Sequence, residues 1–132
     1  MPRPLAEKMR PRKLELLVGQ EHLLAHDAPL GRMLRERRAS SMILWGPPGS
    51  GKTTLAKIIA EHVNMNFKSL SAVFSGVSDL RKVFDKAVER KKMGEETLLF
   101  VDEIHRFNRA QQDSFLPFVE DGTVVLVGAT TE

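Results

Sequence analysis

A glycine-rich loop between a short apolar run and an amphipathic stretch narrows the fold of this chain more than any other sequence feature. Residues 46–53 read Gly-Pro-Pro-Gly-Ser-Gly-Lys-Thr and match the pattern G-x-x-x-x-G-K-S/T at every fixed position. The preceding run, Met42–Trp45, predicts a buried strand, and residues 52–63 predict a helix. A loop in this context is typical of a phosphate-binding loop in a parallel α/β sheet.

The residue types of this loop are suited to binding an anion. Glycines allow the backbone to curl, so that successive N–H groups point at phosphate oxygens, and the positive end of the following helix faces the same anion. Lys52 supplies a charge for the β- and γ-phosphates, and the Thr53 hydroxyl is placed to bind Mg²⁺. We therefore predict a nucleotide site formed by Gly46, Pro47, Pro48, Gly49, Ser50, Gly51, Lys52, Thr53 and Thr54.

Two carboxylates follow another apolar run. Residues 97–101 predict a strand that is apolar on both faces, and Asp102 and Glu103 come directly after it. Ligands bind at the carboxyl edge of a parallel sheet, so we predict that Asp102 and Thr53 hold Mg²⁺ and that Glu103 activates a water for attack on the γ-phosphate. The sequence has no N-K-x-D guanine motif, and the Glu beside Asp102 favours hydrolysis over transfer to a small-molecule acceptor. For His105 we expect a structural hydrogen bond, because no His or Cys lies at metal-ligand spacing.

The rest of the chain alternates strand and helix patterns. Further strands are predicted over 67–72 and 123–127, and further helices over 21–38, 77–91 and 109–119. The last helix has a capping box at Asn108 and Gln111, and Pro117 is expected to bend or end it. This order predicts a parallel sheet with helices on both faces. We divide the chain into a proline-rich arm, residues 1–20, and a core, residues 21–132.

Composition and charge narrow the function classes. The absence of cysteine excludes disulfides, thiolate metal sites and a cysteine nucleophile. No run approaches 18 apolar residues and no secretory signal is present, so we expect a cytoplasmic protein without a membrane partner. Residues 1–60 carry 11 Lys and Arg against 5 Asp and Glu, whereas residues 61–132 carry 9 against 12. A basic half is typical of a polyanion binder, although a solvated basic surface explains the same pattern.

Several segments together resemble one group of ATPases. The phosphate loop, the Asp102-Glu103 pair and the strand ending at Thr130-Thr131 resemble the AAA+ ATPases. Four segments resemble more specifically the replication-associated recombination protein A family, whose eukaryotic relatives are the Werner-helicase-interacting ATPases. They read SMILWGPPG from residue 41, SAVFSGV from 71, VDEIHRFN from 101 and QQDSFLP from 111. The resemblance extends over residues 3–132.

The resemblance implies an architecture. It predicts a P-loop αβα sandwich in which the four predicted strands, numbered along the chain, lie in the order 2-3-4-1. It also places a fifth strand, an arginine finger, a helical lid with sensor 2 and an oligomerisation domain beyond Glu132. On this basis we expect an amino-terminal fragment with negligible turnover by itself. We also expect Met42–Trp45 to be an unpaired edge strand that promotes self-association.

The resemblance also implies roles for individual residues. Thr131 is similar to the sensor residue that reads the γ-phosphate, with Thr130 as second choice. Ser71 lies where relatives carry a polar switch acting on the catalytic Glu, although it is equally interpreted as a strand-end hydroxyl. Arg106 and Arg109 lie on a segment that faces the central pore in ring-shaped relatives, so contact with DNA phosphates is one interpretation and a solvated or intersubunit role is an equal alternative. The adenine pocket is expected to be lined by Arg10, Pro11, Val18, Gly19 and Gln20 of the arm.

The function implied is ATP hydrolysis coupled to work on single-stranded or forked DNA at stalled replication forks. The resemblance further implies a homo-oligomer, replication-fork proteins as partners, and a location at the nucleoid or, in a eukaryote, the nucleus. Two alternatives remain open. One is a RuvB-like branch-migration motor or a clamp-loader subunit. The other, for this chain by itself, is a nucleotide-binding module without turnover.

Overall fold

The computed structural model describes residues 15–18, 41–47 and 51–131, the first of these segments as backbone only. The elements in chain order are β1 (Glu15–Val18), β2 (Met42–Trp45), α1 (Lys52–His62), β3 (Asn66–Ser71), α2 (Val77–Lys92), β4 (Thr97–Asp102), a 3₁₀ turn (Ile104–Arg106), α3 (Arg109–Glu120) and β5 (Val124–Thr130). The helix predicted over 21–38 lies outside the described residues. Each of the other predicted strands and helices is present, with ends shifted by up to three residues.

The described strands form one parallel sheet in the order β1-β2-β5-β4-β3. Its last four members have the predicted order, so the α/β P-loop architecture is confirmed. β5 lies between β2, which leads into the phosphate loop, and β4, which leads into the acidic pair. The central position of β5 therefore brings the two motifs to either side of its carboxyl end.

The position of β1 contradicts the prediction that Met42–Trp45 is an unpaired edge strand. Its backbone pairs in parallel with the whole of β2, from Glu15 opposite Met42 to Val18 opposite Trp45. The prediction that β2 is an unpaired edge was therefore wrong, because a segment assigned to the arm covers that edge. The strand Met42–Trp45 was recognised by the phosphate loop that follows it, whereas the equally short run Glu15–Val18 adjoins no such motif. The proposed lining of the adenine pocket by the arm stays a prediction.

Local signals explain the helices. In α2, Leu80, Val83, Phe84 and Ala87 are buried at the spacing that the sequence predicts for one apolar stripe. In α3, the Asn108 side chain accepts from Gln111 N at 2.9 Å, and the Gln111 side chain accepts from Asn108 N at 2.8 Å, which confirms the capping box.

The helix α3 continues past Pro117 to Glu120, so this proline does not end it. Its missing N–H falls in the last turn, and its carbonyl still accepts from Asp121 N at 3.0 Å. Within the described residues, no helix is long and apolar enough to cross a membrane.

The core has two layers, one on each face of the sheet. The layer under α1 consists of Met42, Leu44, Ala56, Ile59, Ala60, Leu98, Phe100, Val127 and Ala129. The layer under α2 and α3 includes Ile43, Leu99, Val101, Ile104, Leu126 and a group of phenylalanines. Among these rings, Phe84 stacks on Phe118 with centroids 4.7 Å apart and planes 4° apart. Helices therefore cover both faces, as an αβα sandwich requires.

Candidate nucleotide-binding and catalytic site

The described ends of the phosphate loop lie next to the tip of β5 and the start of α1. At its start, Gly46 N donates to Thr130 O at 3.2 Å, which fixes the loop to the tip of β5. At its end, Gly51 has φ +81°, a left-handed conformation that favours glycine, and α1 begins at the next residue. The positive amino terminus of α1 therefore opens directly from the loop. Pro48, Gly49 and Ser50 lie outside the described residues.

Lys52 lies where the ends of β2 and β5 meet. Its Nζ donates to Gly46 O and lies 3.4 Å from both Pro47 O and Thr130 O. These partners are neutral carbonyls, so the ammonium charge is available to an anion at the same place. In the first turn of α1, Thr53 and Thr54 are exposed to solvent. The hydroxyl predicted to bind Mg²⁺ is therefore accessible.

The acidic pair occupies a sharp backbone turn at the end of β4. Asp102 is the last residue of the strand, and its Oδ1 accepts from Glu103 N at 3.1 Å. Glu103 has φ +56°, and a left-handed conformation in a residue other than glycine costs on the order of 1–3 kcal/mol. This single residue turns the chain from the strand into the 3₁₀ turn. Strain of this kind is concentrated at functional sites.

His105 connects the acidic pair to β5. Its Nε2 lies 3.3 Å from Glu103 Oε2, and its Nδ1 lies 2.8 Å from Thr130 Oγ1. The side chains of His105 and Glu103 are 18% and 29% exposed, so the contact is largely shielded from water. The hydrogen bond expected for His105 is present. The sequence did not indicate its partner, because Thr130 is 25 residues away along the chain.

The tip of β5 is the centre of the site. This strand extends three residues beyond its predicted end, and its last residue, Thr130, is buried. The carbonyl of Thr130 faces Gly46 N and the Lys52 ammonium, while its hydroxyl bonds to His105. Thr131 follows the strand and is exposed. The role of Thr131 as γ-phosphate sensor stays a prediction, and the described contacts to both motifs belong to its neighbour.

The remaining predicted residues lie around this centre or outside the described segments. Ser71 is paired in register with Asp102 at the same edge of the sheet, and its role as a switch stays a prediction. Arg106 and Arg109 are exposed, and Arg109 Nε lies 3.8 Å from Asp113 Oδ2. Arg10, Pro11, Gly19 and Gln20 lie outside the described residues, and Val18 is described only as backbone of β1.

The residues fit Mg²⁺ bound together with a nucleotide. A hydroxyl from Thr53 and a carboxylate from Asp102 would supply oxygen ligands of the kind that this ion prefers. Within the described segments, no group of three or more His, Cys, Asp and Glu could hold a metal ion. Mg²⁺ in nucleotide sites uses one or two protein ligands and completes its shell with phosphates and water. The donor set therefore suits an ion that arrives with its substrate.

Comparison with known proteins identifies the family. The family model described as the Holliday junction DNA helicase RuvB P-loop domain matches residues 9–132. The chain belongs to this family. The chain is also similar to a solved structure, the Holliday junction branch migration motor RuvB of Thermotoga maritima. That structure has 33% sequence identity and a TM-score of 0.66, and the match covers 86% of this chain and 39% of the motor.

Curated relatives of this RuvB-type chain confirm the resemblance found in the sequence. Replication-associated recombination protein A is 53% identical in Escherichia coli K12 and 59% identical in Coxiella burnetii, each over 98% of this chain. ATPase WRNIP1 of Dictyostelium discoideum is 50% identical over the same share. The chain spans 29% of the length of the two bacterial relatives and 15% of the third.

Proposed function

We propose that this chain is the ATP-binding and ATP-hydrolysing core of an AAA+ ATPase that acts on DNA in replication and recombination. The observation that carries the proposal is one connected set of contacts at the carboxyl edge of the sheet. Thr130 contacts Lys52 of the phosphate loop on one side and His105 on the other, and His105 contacts Glu103. A phosphate-binding cation and a carboxylate base are thereby held within one site.

The chemistry follows from this arrangement. Lys52 and the amino terminus of α1 bind the phosphates and stabilise the negative charge that develops on the γ-phosphoryl oxygens in the transition state. Thr53 and Asp102 would hold Mg²⁺, which would neutralise phosphate charge. Glu103 orients a water and accepts its proton as the water oxygen bonds to the γ-phosphorus and the bond from that phosphorus to the leaving oxygen of ADP breaks. Thr131, next to the tip of β5, contacts the γ-phosphate.

The binding step is tested with Lys52→Ala and the matched control Lys57→Ala. Both lysines belong to α1, but only Lys52 faces the loop carbonyls, and Lys57 is exposed on the helix surface. We expect Lys52→Ala to weaken ATP binding at least tenfold, since a phosphate loses a charged donor worth about 1.5–3 kcal/mol. Lys57→Ala should bind ATP normally in the same fluorescent-nucleotide titration. Equal affinities for the two variants contradict the proposed site.

A second candidate function is a branch-migration motor. The matched family model and the solved Thermotoga maritima motor favour it. The identity to that motor is 33%, whereas the identity to replication-associated recombination protein A reaches 59%. This difference favours a function like that of the recombination protein.

We accordingly propose three kinds of partner: forked or single-stranded DNA, replication-fork proteins and further copies of the chain. The proposed location is the cytoplasm at the nucleoid or, in a eukaryote, the nucleus.

We propose that DNA is contacted at the loop between β3 and α2. Phe74 in this loop is 87% exposed, although the backbone around it is anchored. Gln111 Nε2 donates to Ser75 O at 2.6 Å, and Gly76 N donates to Asp79 Oδ2 at 2.9 Å. An exposed aromatic ring on an anchored loop is a suitable surface for stacking an unpaired base.

Cations flank this loop on both sides. Arg106 shares a shallow cavity of about 400 Å³ with Phe74. On the other side, a groove of about 380 Å³ is lined by Lys68 of β3 and by Lys82, Lys86 and Arg90 of α2, with Asp79 as the acidic lining residue. The three α2 cations recur every four residues and therefore share one face of the helix. This surface suits a single strand whose phosphates follow the groove while a base stacks on Phe74.

The DNA surface is tested by the salt dependence of oligo-dT binding, measured by fluorescence anisotropy. We expect Lys82→Ala combined with Lys86→Ala to reduce the slope of log affinity against log salt by about 1.4, because each phosphate contact to a single strand contributes about 0.7. Phe74→Ala should weaken binding without changing that slope. The control is Lys57→Ala, an exposed lysine of α1 on the other face of the sheet, which should bind oligo-dT with the affinity and slope of the parent. Unchanged affinity and slope in the double variant contradict this surface.

A further inference from the structure

We infer that His105 is a positioning residue that holds the Glu103 carboxylate against the tip of β5, so that the base and Thr130 move as one unit. The inference rests on the proposed function, because it assigns Glu103 as the base. It goes further in naming the group that orients this base and the strand to which that group is attached. Two distances carry it, 3.3 Å from His105 Nε2 to Glu103 Oε2 and 2.8 Å from His105 Nδ1 to Thr130 Oγ1.

The close approach of the 3₁₀ turn to β5 depends on Gly128. A Cβ at this position would lie 2.6 Å from Ile104 Cδ1 and 2.7 Å from Ile43 Cδ1, closer than packed carbon atoms approach. Ile104 is buried, so the turn rests directly on the strand backbone at this glycine. Gly128 and Thr130 are two residues apart and share one face of the sheet. His105, the residue after Ile104, therefore reaches the Thr130 hydroxyl.

The backbone of Glu103 needs this support. Its left-handed conformation persists only where the surroundings impose it. Asp102 Oδ1 fixes the Glu103 amide, and His105 contacts the Glu103 side chain. Main chain and carboxylate are thereby restrained at two separate points. A restrained carboxylate meets the attacking water without first losing rotamer freedom.

The donor and acceptor roles of the ring follow from its partners. An ionised carboxylate only accepts hydrogen bonds, so His105 Nε2 carries the proton directed at Glu103. In a neutral imidazole, Nδ1 then accepts from the Thr130 hydroxyl. With Oε2 facing the ring, we assign Oε1 of Glu103 to the water. The ring itself acts on the reaction only through Glu103.

Thr130 also connects this set of contacts to the phosphate loop. Its carbonyl accepts from Gly46 N at 3.2 Å and lies 3.4 Å from Lys52 Nζ. When Lys52 turns from the carbonyls to a bound phosphate, the carbonyl of Thr130 loses one of these contacts while its hydroxyl keeps His105. A change in the phosphate loop thus reaches the base through a single residue.

The test uses the full-length protein with His105→Ala, His105→Gln and Thr130→Val. For each variant, the ATP dissociation constant, kcat and the thermal midpoint are measured. We expect His105→Ala to lower kcat about 10- to 100-fold, the order of loss that follows a misplaced catalytic group, with the ATP dissociation constant changed by less than about twofold. His105→Gln should recover part of this loss, because its amide can donate to Glu103.

Two combinations separate positioning from a merely structural role. His105→Ala and Thr130→Val each break the same set of contacts. The double variant should therefore lose about as much kcat as either single variant. In a Glu103→Gln background, His105→Ala should leave the residual single-turnover rate unchanged, because no base remains to be oriented. The control is Thr97→Val, a buried threonine at the opposite end of β4, which should keep kcat.

The inference is overturned if kcat of His105→Ala stays within about twofold of the parent, or if its loss persists in the Glu103→Gln background. A loss of kcat accompanied by an equal loss of ATP affinity also overturns it. Failure of the proposed function gives a different result. In that case Glu103→Gln keeps its ATP turnover, both with His105 present and with His105→Ala added. When Glu103→Gln stops hydrolysis and His105→Ala does not slow it, the positioning role alone is wrong.

Discussion

Thr130 uses its two polar groups in different directions. In a strand, the carbonyl points along the sheet toward the neighbouring strand, and the side chain stands perpendicular to the sheet. The Thr130 carbonyl therefore faces Gly46 and Lys52 next to β2, while its hydroxyl faces His105 above the sheet. A strand-end threonine at a central position of the sheet can connect two motifs in this way, and an edge strand offers no such position.

A second buried threonine allows a prediction about stability. Among the described residues, Thr97 Oγ1 at the start of β4 is buried without a hydrogen-bond partner. A buried hydroxyl without a partner costs about 1–3 kcal/mol, so the isosteric Thr97→Val should raise the free energy of unfolding by about 1 kcal/mol. Urea unfolding of the variant and the parent measures this difference. A variant that unfolds at lower urea shows that the hydroxyl is satisfied.

Some residues of the candidate site can be predicted from their spacing in the sequence, and others cannot. Lys52, Thr53, Asp102 and Glu103 were predicted because their motifs are contiguous in sequence and each position has one chemical task. The pairing of His105 with Thr130 depends on how a turn and a strand pack, which no local pattern encodes. The resemblance accordingly placed the sensor at Thr131, while the described contacts to the motifs belong to Thr130.

At the scale of elements, the amphipathic helices were the most predictable and the strand ends the least. The stripe of α2 and the capping box of α3 are properties of consecutive residues. The predicted end of β5 at Val127 was too early, because glycine and alanine are weak strand formers. The strand continues because Gly128 and Ala129 are buried between neighbouring elements, which is a tertiary effect.

The packing of the 3₁₀ turn on β5 predicts the effect of Gly128→Ala. The added methyl group overlaps Ile104 and Ile43, both buried, and such overpacking costs about 1–3 kcal/mol. We expect a lower midpoint in urea and slower ATP hydrolysis, since the displaced turn carries His105 away from Thr130. In the control, Gly76→Ala, the nearest atom is 3.8 Å away and nothing overlaps. Parent-like stability and turnover in Gly128→Ala contradict the close packing of the turn.

At the scale of the whole molecule, the strand order determines where the chemistry takes place. Alternating strands and helices predicted a parallel sheet but allowed several orders, and the family resemblance selected the order that the structure confirms. Placing β5 between β2 and β4 brings the ends of three strands together at one edge. The pairing of β1 with β2 was not predicted, because Glu15–Val18 lacks an adjoining motif of the kind that marks Met42–Trp45 as a strand.

The role of Glu103 as the base for ATP hydrolysis is tested by measuring ATP binding and phosphate release in Glu103→Gln. This change keeps the size of the side chain and removes the carboxylate base, while the phosphate loop and Asp102 are untouched. We expect an ATP dissociation constant within about twofold of the parent and a rate of phosphate release reduced at least 100-fold. The control, Glu95→Gln in the exposed loop before β4, should release phosphate normally. Near-parental phosphate release by Glu103→Gln would show that Glu103 is not the base.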